Sequence, residues 1–168
     1  GPKSQALARA RQGDLLSCLG PLGRGFDPPS KGRLLLVGGG IGVPPLLYLG
    51  TQTRSRGCHV RLLAGAVTAR KLLPSDLLRR GADLVMVATD DGSEGHAGLV
   101  TDLLVRELEA STDCSVFTCG PHGMMARVAA VCQEFEVSCE ASLEEYMACG
   151  FGVCVGCVVE VKPVSGAE

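Results

Sequence analysis

Three cysteines near residue 150 have a spacing that could hold an iron–sulfur cluster. Cys149, Cys154 and Cys157 are arranged as C-x4-C-x2-C, which is the plant-type spacing for a [2Fe–2S] cluster with a fourth cysteine further along the chain. Such a loop must turn tightly, so that its thiolates point inward and its backbone N–H groups face the sulfurs. The cysteines are separated by glycines that permit these turns, namely Gly150, Gly152 and Gly156.

Two alternatives to a cluster remain open for this cysteine loop, a zinc site and a set of buried structural cysteines. Zinc sites usually combine a C-x2-C pair with a second pair or with histidines, and the chain has no second pair. Unliganded core cysteines are not expected among three glycines. The pattern therefore favours the cluster. Residues 158–168 contain no cysteine, so the fourth ligand must come from another residue, another chain or a longer sequence.

A second candidate site is the glycine-rich loop after the first apolar run of the chain. Gly38, Gly39 and Gly40 are followed by Gly42 and then by Pro45. Glycines let a backbone approach a diphosphate, and the N–H groups of a following helix then face its negative charge. The loop lacks the third glycine of the usual dinucleotide fingerprint. A tight strand-to-helix turn without a ligand is the alternative.

Polar and small residues also follow two later apolar runs. Asp90, Asp91 and Gly92 follow one run, and the segment 119–121 (Cys-Gly-Pro) follows another. Ligands of open parallel sheets bind beyond the carboxyl ends of the strands, so a shared cleft is expected there. The alternatives are that the aspartates serve turns and helix caps, and that Cys119 is a buried apolar residue.

These loops belong to an alternation of strands and helices. Strands are predicted over residues 33–37, 59–64, 83–88, 114–118 and 136–139, and helices over 44–53, 69–80, 98–110 and 121–135, with Pro74 a candidate break in the second helix. Runs that are apolar on both faces and alternate with helices indicate a parallel sheet covered on both sides. We therefore expect an α/β fold with a doubly wound, five-stranded parallel sheet. Residues 1–32 and 141–168 stand apart from it.

Composition limits the classes of function. The 168 residues include 16 basic and 18 acidic side chains, for a net charge of −2, which argues against a basic nucleic-acid surface and a polybasic membrane patch. The longest apolar stretch, residues 33–49, is interrupted by glycines and prolines and is not expected to span a membrane. Nine cysteines, an odd number, without an opening signal peptide indicate a reducing, cytoplasmic compartment.

Several motifs together resemble one family. They occupy residues 34–46, 91–93, 98–102, 118–121 and 142–157. In combination they resemble the electron-transfer subunit of class 1B dihydroorotate dehydrogenase, in the ferredoxin–NADP reductase superfamily. The resemblance covers nearly the whole chain, and the segment with the cysteine loop is its most specific part.

The resemblance implies three regions, of which the first is incomplete. Residues 1–30 would be the remnant and hinge of an FAD-binding β-barrel, residues 31–140 an NAD-binding domain and residues 141–168 a partial [2Fe–2S] loop. The chain would then be truncated at both ends. The residues expected beside the flavin are Gly20, Pro21, Leu22 and Gly23.

The resemblance also implies roles for individual residues. Cys149, Cys154 and Cys157 would hold iron, and Cys119 would be the catalytic residue beside the nicotinamide and the flavin ring. The remaining residues expected to bind cofactor are Gly38, Gly39, Gly40, Ile41, Gly42, Pro45, Asp91, Gly92, Gly120 and Pro121. Because Arg70 and Lys71 follow the second strand, the choice between NAD and NADP stays open.

The function implied by this family is electron transfer in pyrimidine biosynthesis. A partner subunit that contains FMN oxidises dihydroorotate, and electrons pass through [2Fe–2S] and FAD to NAD⁺ in a hetero-oligomer, with no role for nucleic acid or membrane. Two alternatives are a reductase subunit of a hydrogenase or ferredoxin–NADP system, and a non-catalytic fragment that binds NAD.

Overall fold

The predicted alternation is present as a parallel sheet with helices on both faces. The structure is a computed structural model that describes residues 2–143, 145 and 147–159. The strands are β1 (Arg33–Gly39), β2 (His59–Ala66), β3 (Leu84–Thr89), β4 (His96–Ala97), β5 (Ser115–Cys119) and β6 (Cys139–Ser142). Their order in the sheet is β4-β3-β2-β1-β5-β6, and all neighbouring pairs are parallel.

The helices connect these strands and cover the sheet. They are α2 (Val43–Arg54), α3 (Ser75–Leu78), α4 (Val100–Ala110) and α5 (His122–Glu134), with short 3-10 turns at Gly40–Gly42, Ala69–Lys71 and Arg79–Gly81, whereas α1 (Pro2–Ala8) precedes the first strand. None of the helices that the structure describes is long and apolar enough to cross a membrane. The chain divides into two compact units, residues 25–144 and residues 1–24 with 145–168. The larger unit contains the whole sheet.

The core of the larger unit has two layers because side chains alternate across the strands. Leu34 and Leu36 of β1 face α2 in one buried cluster, whereas Leu35 and Val37 face α4 and α5 in the other. All four side chains are fully buried. At about 1.5–3 kcal/mol for each large apolar side chain removed from water, this central strand anchors both helical layers.

One ion-pair cluster joins α4 to the start of the sheet. Glu107, in the last turns of α4, is buried and pairs with Arg33 of β1 and with Arg61 of β2 at 2.8 Å. Arg33 also donates to the Ser111 carbonyl oxygen at 2.9 Å. Because these arginines lie at the starts of their strands, the cluster lies at the end of the sheet opposite to the glycine loop.

The sheet has six strands, so the predicted number of five is wrong. The additional strand, β4, pairs His96 with Ala88 and Ala97 with Thr89 at the edge of the sheet. A two-residue strand is too short to show an alternating pattern in the sequence. It follows a run of turns and is recognisable only from its pairing.

The helix predicted over residues 69–80 does not form as one continuous element, and the interruption lies at Pro74, the expected candidate break. The segment forms two separate 3-10 turns and the four-residue α3, and Leu72 between them has an extended backbone with ψ 149°. Pro74 explains the interruption, since a proline lacks the N–H of a helical hydrogen bond and disfavours helical conformation in the residue before it.

The last strand begins three residues later than predicted, at Cys139 instead of residue 136. Glu136 has a left-handed backbone, with φ +55°, and the Val137 N–H donates to the Cys132 carbonyl oxygen at 2.9 Å. This pattern terminates a helix. The residues expected to start the strand are therefore used to end α5, without the glycine that usually marks such an end.

The smaller unit contains α1 and the cysteine loop. Leu22 and Gly150 are in contact within it, because a Cβ at Gly150 would lie 2.7 Å from Leu22 Cδ1. No strand is assigned to the described residues before Arg33. The assignment of residues 1–30 to a barrel remnant stays a prediction. Glu144, Tyr146 and residues 160–168, which belong to the predicted 141–168 region, lie outside the described residues.

Candidate functional site

A cavity of about 610 Å³ lies at the carboxyl ends of β1, β2 and β3, on the face that α4 and α5 cover. Its size is in the range of small-molecule sites. It is lined by Gly39, Gly40, Gly65, Ala66, Val67, Thr68, Lys71, Asp90, Leu99, Val100, Thr101, Pro121, Gly123, Met124 and Arg127.

Two glycines at the strand ends let the helices close over this cavity. A Cβ at Gly39 would lie 2.6 Å from the Met124 sulfur and 2.9 Å from Pro121 Cδ. A Cβ at Gly65 would lie 2.8 Å from Val100 Cβ. Both positions are too crowded for a real side chain, so the glycines bring the first turns of α5 and α4 onto the sheet.

Two further glycines leave open space at the cavity wall. Gly40 has φ +54°, and a Cβ there would meet no atom within 4 Å. A Cβ at Gly123, the second residue of α5, would likewise meet no atom within 4 Å. No packing requirement explains Gly123, and its effect is to expose the backbone of the first turn of α5. A ligand can therefore approach the main chain closely at both positions.

The electrostatics of the cavity favour an anion. The first turns of α4 and α5 form part of its lining, and the N-termini of helices carry partial positive charge and N–H groups without helical partners. Pro121, which precedes α5, provides no side-chain cap. Lys71 and Arg127 add two positive charges to the lining, against one negative charge from Asp90.

Three of the predicted cofactor residues line the cavity, and three more shape it. Gly39, Gly40 and Pro121 are in the lining. The three that shape it are Gly38, Gly42 and Gly120, where an added Cβ would collide with a neighbour. That Cβ would lie 2.9 Å from Val43 at Gly38, 2.2 Å from the Cys119 carbonyl oxygen at Gly42, and 2.9 Å from the Gly39 carbonyl oxygen at Gly120. Ile41 is 83% exposed and Pro45 is also exposed.

Cys119 lies on the other face of the sheet. Its side chain is buried in the cluster that packs against α2, whereas Gly39 and Gly65 face α5 and α4. Cys119 is therefore not part of the cavity lining. Its main chain nevertheless contributes to the glycine loop through the close approach of Gly42.

Asp91 and Gly92 form a turn beside the cavity, whose lining includes the preceding Asp90. The Asp91 Oδ1 atom accepts from the Ser93 hydroxyl at 2.6 Å and from the Ser93 N–H at 3.0 Å. These hydrogen bonds hold the pKa of Asp91 below its usual value, and the bond from the Ser93 hydroxyl has the larger effect. The Ser93 oxygen in turn accepts from the Ala69 N–H at 2.8 Å.

Sequence reasoning missed most of the cavity wall. Thr68, Lys71, Thr101 and Arg127 line the cavity but belong to no glycine motif. Thr101 and Arg127 lie in the first two turns of α4 and α5, and their position shortly after a strand end is the signal that could have found them. The sequence marks Lys71 only as a possible determinant of NADP binding.

The cysteine loop of the smaller unit is arranged to stabilise a thiolate. The Cys149 sulfur accepts hydrogen bonds from the backbone of Cys154, from the backbone of Phe151 and from the Cys154 side chain. Together they lower the pKa of Cys149 to about 6, and the bond from the Cys154 backbone has the largest effect. Left-handed backbone at Gly150 and Gly152, with φ +78° and +82°, produces the turns. Cys154 is exposed and Cys157 half-buried.

The three thiols do not converge on one point. Among the described residues no three Cys, His, Asp or Glu side chains are placed to hold a single metal ion. A [2Fe–2S] cluster does not require this, because its four ligands are divided between two irons. The thiolate character of Cys149 and the N–H groups around it fit an iron–sulfur loop.

Comparison with known proteins identifies relatives. A family profile described as the iron-sulfur cluster binding domain of dihydroorotate dehydrogenase B matches residues 144–166. The chain is 41% identical over 165 residues to a protein of Geobacillus kaustophilus named the electron transfer subunit of dihydroorotate dehydrogenase B (NAD(+)). The protein of that name from Desulforamulus reducens is 35% identical over 163 residues.

The chain is similar, over nearly its whole length, to the electron-transfer subunits of dihydroorotate dehydrogenase B. The resemblance predicted from the sequence is thereby confirmed. The match covers 96% of this chain and 62% of each of these two relatives, so the chain spans less than two thirds of their length.

Solved structures agree with this relationship. The structure of an NADH-dependent reduced ferredoxin-NADP oxidoreductase matches with a TM-score of 0.77 and 31% identity, over 92% of this chain and 56% of that one. The cytochrome P450 reductase GcoB of Amycolatopsis matches with a TM-score of 0.62 and 22% identity, over 73% of this chain and 41% of that one, which concerns the fold alone. The predicted reductase-type α/β fold is thus confirmed.

Proposed function

We propose that the protein is an electron-transfer subunit that carries electrons from a dihydroorotate-oxidising partner to NAD⁺. The observation that carries this proposal is the C-x4-C-x2-C loop, because it lies inside the segment matched by the dihydroorotate dehydrogenase B profile. Oxidation of dihydroorotate to orotate releases two electrons and two protons. NAD⁺ takes up both electrons with one proton, as hydride, and the second proton passes to water.

The cysteine loop would hold the [2Fe–2S] cluster. Cys149, Cys154 and Cys157 supply three of the four ligands in this proposal. When bound, the cluster would supply one-electron transfer, and FAD and NAD⁺ would supply hydride transfer. The chain itself contributes a thiolate held by main-chain N–H groups at Cys149 and tight turns at Gly150 and Gly152.

The cavity of the larger unit would bind the nicotinamide nucleotide. Gly38 to Gly42 and Pro45 are proposed to form the diphosphate loop, where the helix N-termini and the cations Lys71 and Arg127 favour negative charge. The segment of residues 119–121 is proposed to lie near the nicotinamide. In this arrangement the residues bind and orient the nucleotide, and no side-chain acid or base is needed for hydride transfer.

The flavin and the partner complete the proposal. Residues 1–30 are assigned to the remnant and hinge of the FAD-binding barrel, with Gly20 to Gly23 beside the flavin. The partner is the FMN-containing catalytic subunit of a hetero-oligomer. We place the complex in the cytoplasm. None of the nine cysteines forms a disulfide, the exposed Cys18 included, and a reducing compartment maintains this state.

The test is to isolate the protein anaerobically from its own cells, measure iron and acid-labile sulfide, and assay the reduction of NAD⁺ by dihydroorotate. Two irons and two sulfides per chain, with dihydroorotate-dependent NADH formation in the presence of the FMN subunit, are expected. Electron transfer from reduced ferredoxin to NADP⁺ without any response to dihydroorotate would instead favour a ferredoxin–NADP system. Iron-free protein that still binds NADH would favour a non-catalytic domain.

A further inference from the structure

We propose that Asp91 and Ser93 are positioning residues that hold one wall of the cavity ready for a dinucleotide. The wall consists of residues 66–71, of which Ala66, Val67, Thr68 and Lys71 line the cavity. Neither Asp91 nor Ser93 is part of the lining, so both act through the wall. This inference rests on the proposed function, because it concerns how the same cavity binds its nucleotide.

The first step is a directed hydrogen-bond relay. A carboxylate only accepts hydrogen bonds, so the 2.6 Å contact between Asp91 Oδ1 and the Ser93 hydroxyl requires the hydroxyl proton to point at Asp91. The lone pairs of the Ser93 oxygen are then available to the Ala69 N–H, which donates to it at 2.8 Å. Asp91 therefore orients Ser93, and Ser93 holds the backbone of the wall.

Two backbone bonds complete the attachment. The Asp90 N–H donates to the Ala66 carbonyl oxygen at 3.1 Å, and the Asp91 N–H donates to the Val67 carbonyl oxygen at 3.2 Å. They continue the pairing of β2 with β3, which ends at Ala66 and Thr89. The turn of residues 90–93 thus holds the wall at three positions, of which only Ala69 depends on side chains.

The wall has little else to hold it. No residue from 66 to 71 is buried, and the only regular structure in the segment beyond β2 is the single 3-10 turn Ala69–Lys71. Segments with few buried contacts open at low free-energy cost unless hydrogen bonds restrain them. The Ser93–Ala69 hydrogen bond joins the 3-10 turn Ala69–Lys71 to the turn of residues 90–93. Its loss should therefore let Thr68 and Lys71 move away from their positions in the cavity wall.

The order of the strands indicates which half of the nucleotide meets this wall. The glycine loop follows β1. In the sheet, β1 has β5 as its neighbour on one side and β2 on the other. With the diphosphate at the glycine loop and the nicotinamide near residues 119–121, the other nucleoside extends towards β2 and residues 66–71. The relay should therefore affect a dinucleotide and leave a nicotinamide mononucleotide unaffected.

The test compares NADH with reduced nicotinamide mononucleotide, with affinities measured by fluorescence titration of the 168-residue chain. For Ser93→Ala we expect the Kd for NADH to rise about threefold to tenfold, the effect of one lost hydrogen bond. The Kd for the mononucleotide should stay within about twofold under the same reasoning. Ser93→Thr keeps the hydroxyl and should restore NADH binding, and Asp91→Ala should act like Ser93→Ala.

The matched control is Ser111→Ala. It removes a similar hydrogen bond, which the Asp113 N–H donates to the Ser111 hydroxyl at 3.3 Å, at the C-terminal end of α4 and away from the cavity. It should leave both affinities unchanged, and circular dichroism should show that all variants are folded. An unchanged NADH affinity in folded Ser93→Ala, or equal losses for both nucleotides, would overturn the positioning role. If the unaltered chain binds no NADH, the proposed function itself fails before any variant is considered.

Discussion

Gly42 lies against the main chain of Cys119, so closely that a Cβ on residue 42 would be 2.2 Å from the Cys119 carbonyl oxygen and 2.5 Å from the Gly120 nitrogen. The glycine loop after β1 and the end of β5 are thus in direct backbone contact. Gly42 has an ordinary helical φ of −77°, so the requirement for glycine at this position is one of space.

Replacement of Gly42 by alanine should therefore destabilise the larger unit. The inserted methyl group meets backbone atoms that cannot rotate away, and overpacking of this kind costs about 1–3 kcal/mol. Denaturant unfolding should show this loss of free energy, with weaker NADH binding. Wild-type stability in Gly42→Ala would mean that the two backbones are not in direct contact.

The contrasting glycine is Gly123, where a Cβ meets nothing within 4 Å. Alanine is the better helix former, so Gly123→Ala should keep or raise the free energy of unfolding, by up to about 1 kcal/mol. The new methyl group borders the cavity and should nevertheless raise the Kd for NADH severalfold. A variant that gains stability and binds NADH normally would place the nucleotide away from the first turn of α5.

Loss of Glu107 should destabilise the fold without altering the cavity. Removal of the buried carboxylate takes the shared acidic partner away from Arg33 and Arg61, and breaking such a cluster costs roughly 3 kcal/mol. Urea unfolding of Glu107→Ala measures this. The control is Asp76→Ala, because Asp76 and Arg80 form an exposed pair at 3.8 Å that should contribute less than about 1 kcal/mol. Similar losses in both variants would contradict the assignment.

Asp83 should contribute to the acid sensitivity of the fold. The pKa of Asp83 is lowered, first by the Val60 N–H and also by Arg54. The Val60 N–H donates to Asp83 Oδ2 at 2.8 Å, and Arg54 Nε donates to Asp83 Oδ1 at 2.8 Å. A lowered pKa in the folded state adds stability that is complete above the unfolded value, about 3.9 for aspartate, and is lost as the pH falls through the folded value.

The measurement is the difference in unfolding free energy between wild type and Asp83→Asn as a function of pH. It should be constant at neutral pH and shrink as the solution becomes more acidic than about pH 4. The control is Asp76→Asn, which alters an exposed carboxylate. A difference that grows on acidification would have the wrong sign and would exclude the proposed role of Asp83.

Replacement of Cys149 by serine should prevent cluster assembly, because serine supplies no thiolate. Iron and acid-labile sulfide per chain should fall to a small fraction of the wild-type content, together with the visible absorption of the cluster. Cys18→Ser is the control, since Cys18 is exposed and in the same unit but outside the cysteine loop. Equal iron content in the two variants would remove Cys149 from the ligand set.

Much of the fold was predictable because its signals are local. The run of four fully buried residues in β1 and the glycines after it occupy consecutive positions, and C-x4-C-x2-C is a spacing within a single short loop. Such patterns depend only on the preferences of neighbouring residues for strands, turns or ligands. The resemblance to the electron-transfer subunits followed from the same motifs.

The errors occurred where hydrogen bonds to a neighbouring element override the preference of a short segment. Residues 136–138 are predicted to begin a strand, but Glu136 and Val137 are used to end α5. The strand β4 exists only through its pairing with β3. Neither arrangement can be derived from its own segment, because the hydrogen-bond partners lie in the preceding helix α5 and in the preceding strand β3.

The sequence by itself determined the α/β class, the glycine loop and the cysteine loop, since each depends on residue types at short, fixed spacings. The tertiary structure alone decided that the Cys119 side chain faces α2 rather than the cavity, because the side of a strand that a residue faces depends on register with its neighbours. It also decided that Ser93 holds Ala69, 24 residues earlier in the chain, because only folding brings the ends of β2 and β3 together.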